Sequence, residues 1–298
     1  MVANPPGPQP LPVIDAHQHV WDVEARPQPW LDSAAELAPL RRAFGIADLR
    51  PLAARAGVAR TVVVQTVEDP AETAELLVLA STDQLVGAVV GWTDVTAPDV
   101  AGAVAGVRSG PGGSALAGIR HPLLTEPDPG WLDRPDVHRG LAALAAAGLT
   151  FDLVLRPGQL PAAIRAAGQV PQLTFVLDHL GLAEAGPSID ETWAAHFSAL
   201  ASLPNTVAKL SGVLGDIVRP GGLADVGASA AALGPYADLA LECFGPDRLM
   251  FGSDWPVCTL SASYGEVVAV ARALVAELSR SEQAAILGGT ARSAYRIG

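Results

Sequence analysis

The chain has 298 residues, half of them hydrophobic, with 19 Lys and Arg against 31 Asp and Glu and a formal net charge of −12. That length buries a large core, either as one barrel-sized domain or as two smaller ones. The acidic balance argues against nucleic acid and anionic membrane surfaces as partners, since both require clustered Lys and Arg.

In chain order, residues 1–12 are Pro-rich and lack a basic region ahead of an apolar core, so they read as a flexible segment and not as a signal peptide. Short apolar, β-branched runs then recur at 13–16, 61–65, 85–91, 116–120, 150–155, 173–177, 206–210 and 248–251. Most are continuous apolar runs without in/out alternation, the pattern of strands covered on both faces in a parallel sheet. Between them lie Ala/Leu patterns of helical period at 71–81, 136–147, 189–203 and 264–278. Asp48, Asp69-Pro70 and Ser188 supply helix starts, and Gly57 and Gly148 supply stops. Strand and helix alternating eight times predict a (β/α)8 barrel, a single domain over 13–298. A doubly wound open sheet is the rival, but no Gly-x-Gly-x-x-Gly follows the first strand. The connection 19–49, with Trp21 and Trp30, is too Pro-rich for a plain helix and reads as a loop over the mouth, joined there by 125–135 and 213–227. Neither tryptophan is separable from a loop-packing role on sequence grounds.

Active sites of such barrels lie at the C-terminal ends of the strands. The residues there are Asp15, His17 and His19 on strand 1, Gln65 on strand 2, and Trp92 and Asp94 on strand 3. Arg120 and His121 follow on strand 4, Arg156 on strand 5, Asp178 and His179 on strand 6, Lys209 and Ser211 on strand 7, and Ser253 and Asp254 on strand 8. Polar residues after nearly every apolar run, with four of the six histidines among them, point to a catalytic site. In an extended strand His17 and His19 share a face, and Asp254 reaches them if the first and last strands meet, as barrel closure demands. Imidazoles beside a carboxylate suit hydrolysis with or without a metal. Lys209 reads either as a further polar residue of the site or as a side chain reaching outward from its strand end. Cys258 reads as a buried inert thiol or a neighbour of the site. Cys243 and Cys258 have no Cys-x-x-Cys spacing, so a cysteine zinc site and a disulfide framework are not expected. No apolar run approaches the length of about 20 residues that a membrane span requires. A cytoplasmic protein is expected, and a homo-oligomer is compatible with the chain.

At these positions the chain resembles the amidohydrolase superfamily, and within it the lactonase branch acting on L-fuconolactone, L-rhamnonolactone, sulfomuconolactone and 2-pyrone-4,6-dicarboxylate. The resemblance spans almost the whole chain. It rests on Asp15-Ala16-His17-Gln18-His19 with Trp21-Asp22, Pro29-Trp30-Leu31, Val90-Gly91-Trp92 and Gly118-Ile119-Arg120-His121. It continues through Asp178-His179-Leu180-Gly181, Lys209-Leu210-Ser211-Gly212, Phe251-Gly252-Ser253-Asp254-Trp255-Pro256 and the closing Gly288-Gly289-Thr290-Ala291 with Tyr295. The resemblance implies a barrel, a general-base Asp at strand 8 and often a divalent metal. Two departures stand out: strand 5 has no His, and Leu182-Ala183 replaces a Lys-Pro usual after strand 6.

The expected activity is opening of a lactone ring, with a sugar-acid lactone as substrate. Asp254 is the expected base and His179 its catalytic companion, while His17, His19, His179 and Asp254 hold one divalent metal ion, zinc before others, or act on the carbonyl directly. Arg120, His121, Trp92, Trp30 and Arg156 are the candidate substrate contacts. Arg120 and Arg156 leave open a carboxylated muconolactone or pyrone, since guanidinium pairs with carboxylate. A non-oxidative decarboxylase of the same superfamily is the other reading.

Overall fold

The computed structural model describes residues 11–181, 189–212 and 225–298. Most of segment 1–12, the helix start at Ser188, the Leu182-Ala183 departure and most of the 213–227 stretch lie outside the described residues.

Among the described residues eight strands form: β1 Val13–Gln18, β2 Val58–Val64, β3 Val86–Gly91, β4 Leu116–Pro122, β5 Thr150–Val154, β6 Thr174–Leu177, β7 Thr206–Leu210 and β8 Leu249–Phe251. They pair in chain order, every pair parallel. The circuit is joined just beyond β8. There Gln18 bridges Trp255, the His19 amide donates to the Trp255 carbonyl (2.7 Å), and the Asp254 amide donates to the His17 carbonyl (2.8 Å). The seam of the barrel therefore runs through the residues expected to carry the chemistry.

Helices α1 Ile46–Ala56, α2 Pro70–Thr82, α3 Val100–Ser109, α4 Pro135–Ala146, α5 Leu160–Gln169, α6 Glu191–Ala201, α7 Val226–Phe244 and α8 Tyr264–Leu274 surround the strands. Their ends obey local chemistry. Asp69 accepts the Ala71 amide ahead of Pro70, and Gly57 ends α1 at φ 72°, where a side chain would be strained. Asp48 lies inside α1 and bonds back to the Gly45 amide.

One face of each strand joins the helix layer, as with Val63, Val89, Phe151, Leu153 and Phe175. The other lines the barrel interior, where Ile14, Val62, Ala88, Val176 and Met250 pack with Ala291, Tyr295 and Ile297 from the C-terminus. That apolar plug occupies the end remote from the mouth and leaves the upper interior to polar residues. Along β1 the register with β2 slips between Asp15 and Gln18, and such irregularities re-aim side chains. Asp15 bonds Tyr264 of α8 (3.1 Å) on the helix side, whereas His17 meets Lys209 of β7.

Candidate functional site

The mouth holds a cavity of about 340 Å³, its polar floor formed by His19, Gln65, Arg120, Asp178, His179 and Asp254. Trp30 stands in its wall and bonds Gln28 (2.9 Å). Trp21 is buried, donates to the carbonyls of Leu40 and Arg42, and packs edge-on against Trp30. Of the two loop tryptophans, then, Trp30 faces the cavity and Trp21 packs the loop.

Three donor atoms converge on the floor. His17 Nε2 and His19 Nε2 are 3.1 Å apart, and Asp254 Oδ1 lies 3.7 Å from the first and 3.3 Å from the second. Zinc–nitrogen bonds of about 2.0–2.1 Å in tetrahedral geometry separate ligand atoms by about 3.3 Å, so this trio has the spacing a single cation requires. His19 Nδ1 is held by the Val64 carbonyl at 2.8 Å, which turns Nε2 toward the others. His17, His19 and Asp254 therefore fit a divalent ion. His179 stands beside this trio, its ring centroid 4.5 Å from that of His17, and groups with His17 and Asp178 in a second possible donor set. The expected four-residue ligand set is thus a trio with His179 adjacent. The His179 Nδ1 is bonded to Ser211 Oγ (2.9 Å).

Backbone geometry at these residues is unusual. Asp254 and His179 adopt φ of 57° and 54°, in the left-handed region, at a cost of roughly 1–3 kcal/mol each that surrounding contacts must offset. Gly252 permits the approach of β8 to β1, because a Cβ there would lie 2.7 Å from the His17 Cβ. Gly212, at φ 66°, makes room for the His179 ring, which a Cβ would meet at 2.4 Å from Nδ1.

Beneath the histidines lies a buried ionic cluster. The Lys209 ammonium donates to Asp152 (2.7 Å) and to His17 Nδ1 (3.1 Å) and lies 2.9 Å from Asp178 Oδ1. Tyr295 and Thr150 add hydroxyl donors to Asp152 at 2.6 and 3.0 Å. Arg120 donates to Asp178 (3.2 Å) and to the Gln65 carbonyl (2.5 Å). Two cations and two carboxylates balance, as burial of charge demands. Lys209 therefore does not reach outward: it is fully buried, because its partners in β5 and beyond β6 lie inside the barrel. Asp152 and Lys209 were not singled out as a pair by sequence reasoning. The available signal was one unlike charge inside each of two apolar strands.

Three expected substrate contacts stand apart from the cavity. Trp92 donates to His121 Nδ1 (3.4 Å), and His121 is stacked on Trp131 and bonded to Glu126 (2.7 Å). Arg156 lines a separate hollow with Glu126, Pro127 and Gln159. Strand-end residues turn either to the axis or to the loops, and these three turn to the loops. Cys258 is buried and lines the cavity, and burial pushes its thiol up.

Burial raises the Asp254 carboxyl, but the neighbouring His179, the hydrogen bond with His19 and the nearby His17 outweigh it and hold the group at about 2. Asp254 is thus an ionised base. Burial drives His17 well below the usual imidazole value despite Asp178, and lowers His179 despite Asp254 and Asp178. Both rings are neutral at pH 7. Asp15 is raised to about 6 by burial, against hydrogen bonds from Ser253, the His17 amide and Tyr264. Its role is to tie β1 to the segment after β8.

Comparison with known proteins bears on this arrangement. A family model described as "Amidohydrolase" matches residues 14–297. An L-fucono-1,5-lactonase of Burkholderia multivorans is 38% identical over 291 residues, covering 95% of this chain and 96% of that protein. A second L-fucono-1,5-lactonase, from Burkholderia ambifaria, is 35% identical over 288 residues, covering 95% of each. A crystal structure of an amidohydrolase from Burkholderia multivorans with bound Zn superposes with a TM-score of 0.87 at 36% identity, covering 96% of this chain and 100% of that one.

Proposed function

The chain belongs to the amidohydrolase family, and within it we propose that it opens the ring of a neutral sugar-acid lactone, of the class that its lactonase relatives are named for. In this reading residues 13–298 act as one hydrolase domain. The observation that carries it is an ionised Asp254 beside three imidazoles on the floor of a lactone-sized cavity.

Hydrolysis of a cyclic ester needs an activated water, stabilisation of the oxyanion and a proton for the departing ring oxygen. Asp254 takes one proton from water as the water oxygen bonds the carbonyl carbon. The bond from that carbon to the ring oxygen then breaks, and the proton held by Asp254 passes to the alkoxide. The product is the open-chain hydroxy acid, with Asp254 restored. In the tautomer whose Nδ1 accepts from the Ser211 hydroxyl, 2.9 Å away, His179 presents Nε2–H to the cavity and donates to the developing oxyanion. His17, His19 and Asp254 would hold a divalent cation, which when bound would supply Lewis-acid polarisation of the carbonyl.

Neutral substrates are favoured by the state of Arg120. Both of its terminal nitrogens are engaged by Asp178 and Gln65, and Nε alone has no aligned hydrogen bond among the described residues, so it has at most a single N–H, and no free bidentate pair, to offer a substrate carboxylate. Arg156 belongs to the outer hollow. The carboxylated pyrone or muconolactone reading therefore lacks its anchor, and so does a decarboxylase, which must hold a carboxylate in place. A panel of neutral 1,4- and 1,5-sugar-acid lactones, with carboxylated lactones alongside, tests this by initial rates corrected for spontaneous opening. Neutral lactones are expected to show the higher kcat/KM by at least about 100-fold, the scale of one missing charge-assisted pair. Preferential turnover of a carboxylated lactone would refute the assignment.

A further inference from the structure

The cavity at the mouth is polar only at its floor. Its lining continues through Phe251 of β8, Leu233 of α7, and Val267, Val270, Ala271 and Leu274 of α8. The four α8 residues fall at i, i+3, i+4 and i+7, the face that a helix turns to its core. At a rise of about 1.5 Å per residue they extend over about 10 Å. Phe251 packs with the helix layer, while Met250 before it turns into the barrel interior. The cavity is therefore more than a pit above the barrel axis: it sends an arm between the outer wall of β8 and helices α7 and α8.

This arm opens beside the base. Phe251 and Cys258 both line it, on either side of Asp254 in the chain, and the Cys258 amide donates to the Asp254 carbonyl at 2.9 Å. Among the described residues no charged side chain lines the arm beyond the floor, and burial keeps the Cys258 thiol neutral. A hydroxylated substituent entering it loses water without gaining a partner, whereas an aliphatic one is stabilised by leaving water. Helix and strand faces ordinarily interdigitate to crystal-like density, and unfilled space between them costs stability. Apolar space of this kind stays dry and takes up apolar molecules. The volume of about 340 Å³ lies in the range that encloses ligands larger than one sugar ring.

We propose that the same site opens lactones carrying an unbranched aliphatic chain on the ring carbon that bears the ester oxygen, with the ring on the polar floor and the chain in the arm. This rests on the lactonase reading of the floor and extends it from sugar-acid lactones to alkyl lactones. The bond changes are those of hydrolysis: the water oxygen bonds the carbonyl carbon as Asp254 takes its proton, the bond from that carbon to the ring oxygen breaks, and the proton passes to the alkoxide. The product is an open-chain hydroxyalkanoic acid, and no co-reactant besides water is consumed.

Initial rates of the full-length protein on δ-hexanolactone, δ-octanolactone and δ-decanolactone, which carry methyl, propyl and pentyl chains, provide the test after correction for spontaneous opening. Each methylene moved from water into the arm favours the transition state by up to about 4-fold, so kcat/KM should rise by at least about 10-fold from methyl to pentyl. A flat or falling series would overturn the proposal. If sugar-acid lactones were still turned over, the lactonase reading would stand without it; if no lactone of either kind were opened, both would fall. Ala271→Leu places extra carbons in the arm, far from the polar floor. This variant should fold with a Tm close to that of the wild-type protein, because the added carbons enter cavity space, and its methyl-to-pentyl rise should shrink to below about 3-fold. An unchanged rise would place the chain outside the arm, and a strongly destabilised protein would show α8 packed directly on β8. Either result would overturn the proposal.

Discussion

Replacing Asp152 with Ala tests the buried ionic cluster beneath the site. The substitution removes the Oδ2 that receives Lys209 at 2.7 Å and Tyr295 at 2.6 Å, and the Oδ1 that receives Thr150 at 3.0 Å. Breaking a buried pair from one side costs about 3–5 kcal/mol, because the remaining charge stays buried. Each orphaned hydroxyl adds roughly 1 kcal/mol or more. A loss of about 5–7 kcal/mol is therefore expected, lowering Tm by roughly 10–20 °C for a domain of this size. Adding Lys209→Met removes the uncompensated ammonium and leaves Asp178 paired with Arg120, so the double variant should recover at least about 2 kcal/mol over Asp152→Ala alone. Urea denaturation of the four proteins in the cycle measures both quantities. A single-variant loss below about 1 kcal/mol, or a double variant no more stable than Asp152→Ala, would refute the assignment of a dry, mutually compensated cluster.

Gly252→Ala should cut kcat by at least about 10-fold with only modest loss of stability, since its Cβ would sit 2.7 Å from His17 Cβ and 3.0 Å from Ser211 Cβ and push the ring from its place. Wild-type turnover in that variant would show that His17 need not occupy its present position. The pH profile follows from the shifted groups. Asp254 at about 2 stays ionised throughout the working range, so it sets no acid limb there. His17 and His179 are lowered, chiefly by burial, so they remain neutral at pH 7 and take up protons only below the ordinary 6.5. The acid limb of kcat/KM should lie below pH 6.5, and a limb centred above it would contradict this electrostatic reading.

The strands were legible because both faces are covered, so that each core run is apolar throughout and stands out against Ala-rich amphipathic helices. Boundaries slipped where a charge interrupts a run. β2 begins at Val58, ahead of the predicted 61, because Arg60 breaks the apolar pattern. Helix α6 begins at Glu191 and not at 189, since Asp190 caps it through the Trp193 amide. The meeting of His17 and Asp254 followed from barrel closure alone. The role of Lys209 stays open in the sequence because its partners, Asp152 and Asp178, belong to other segments of the barrel and no local pattern records them. The turn of Asp15 away from His17 depends on a register slip, which composition does not encode. Trp92, His121 and Arg156 show the remaining limit: a polar residue at a strand end marks the mouth, while its direction is decided by neighbours such as Trp131 and Glu126.

The central claim is that Asp254 is the base for opening a neutral lactone. Its most direct test is the initial rate of L-fucono-1,5-lactone hydrolysis by the wild-type protein and by Asp254→Asn, corrected for spontaneous opening, with folding checked by circular dichroism. The wild-type protein should turn the lactone over, and the variant, which keeps the shape of the side chain but cannot accept the proton, should lose at least about 100-fold in kcat. Near-wild-type turnover by a folded Asp254→Asn protein, or no turnover of any neutral lactone by the wild type, would contradict the account.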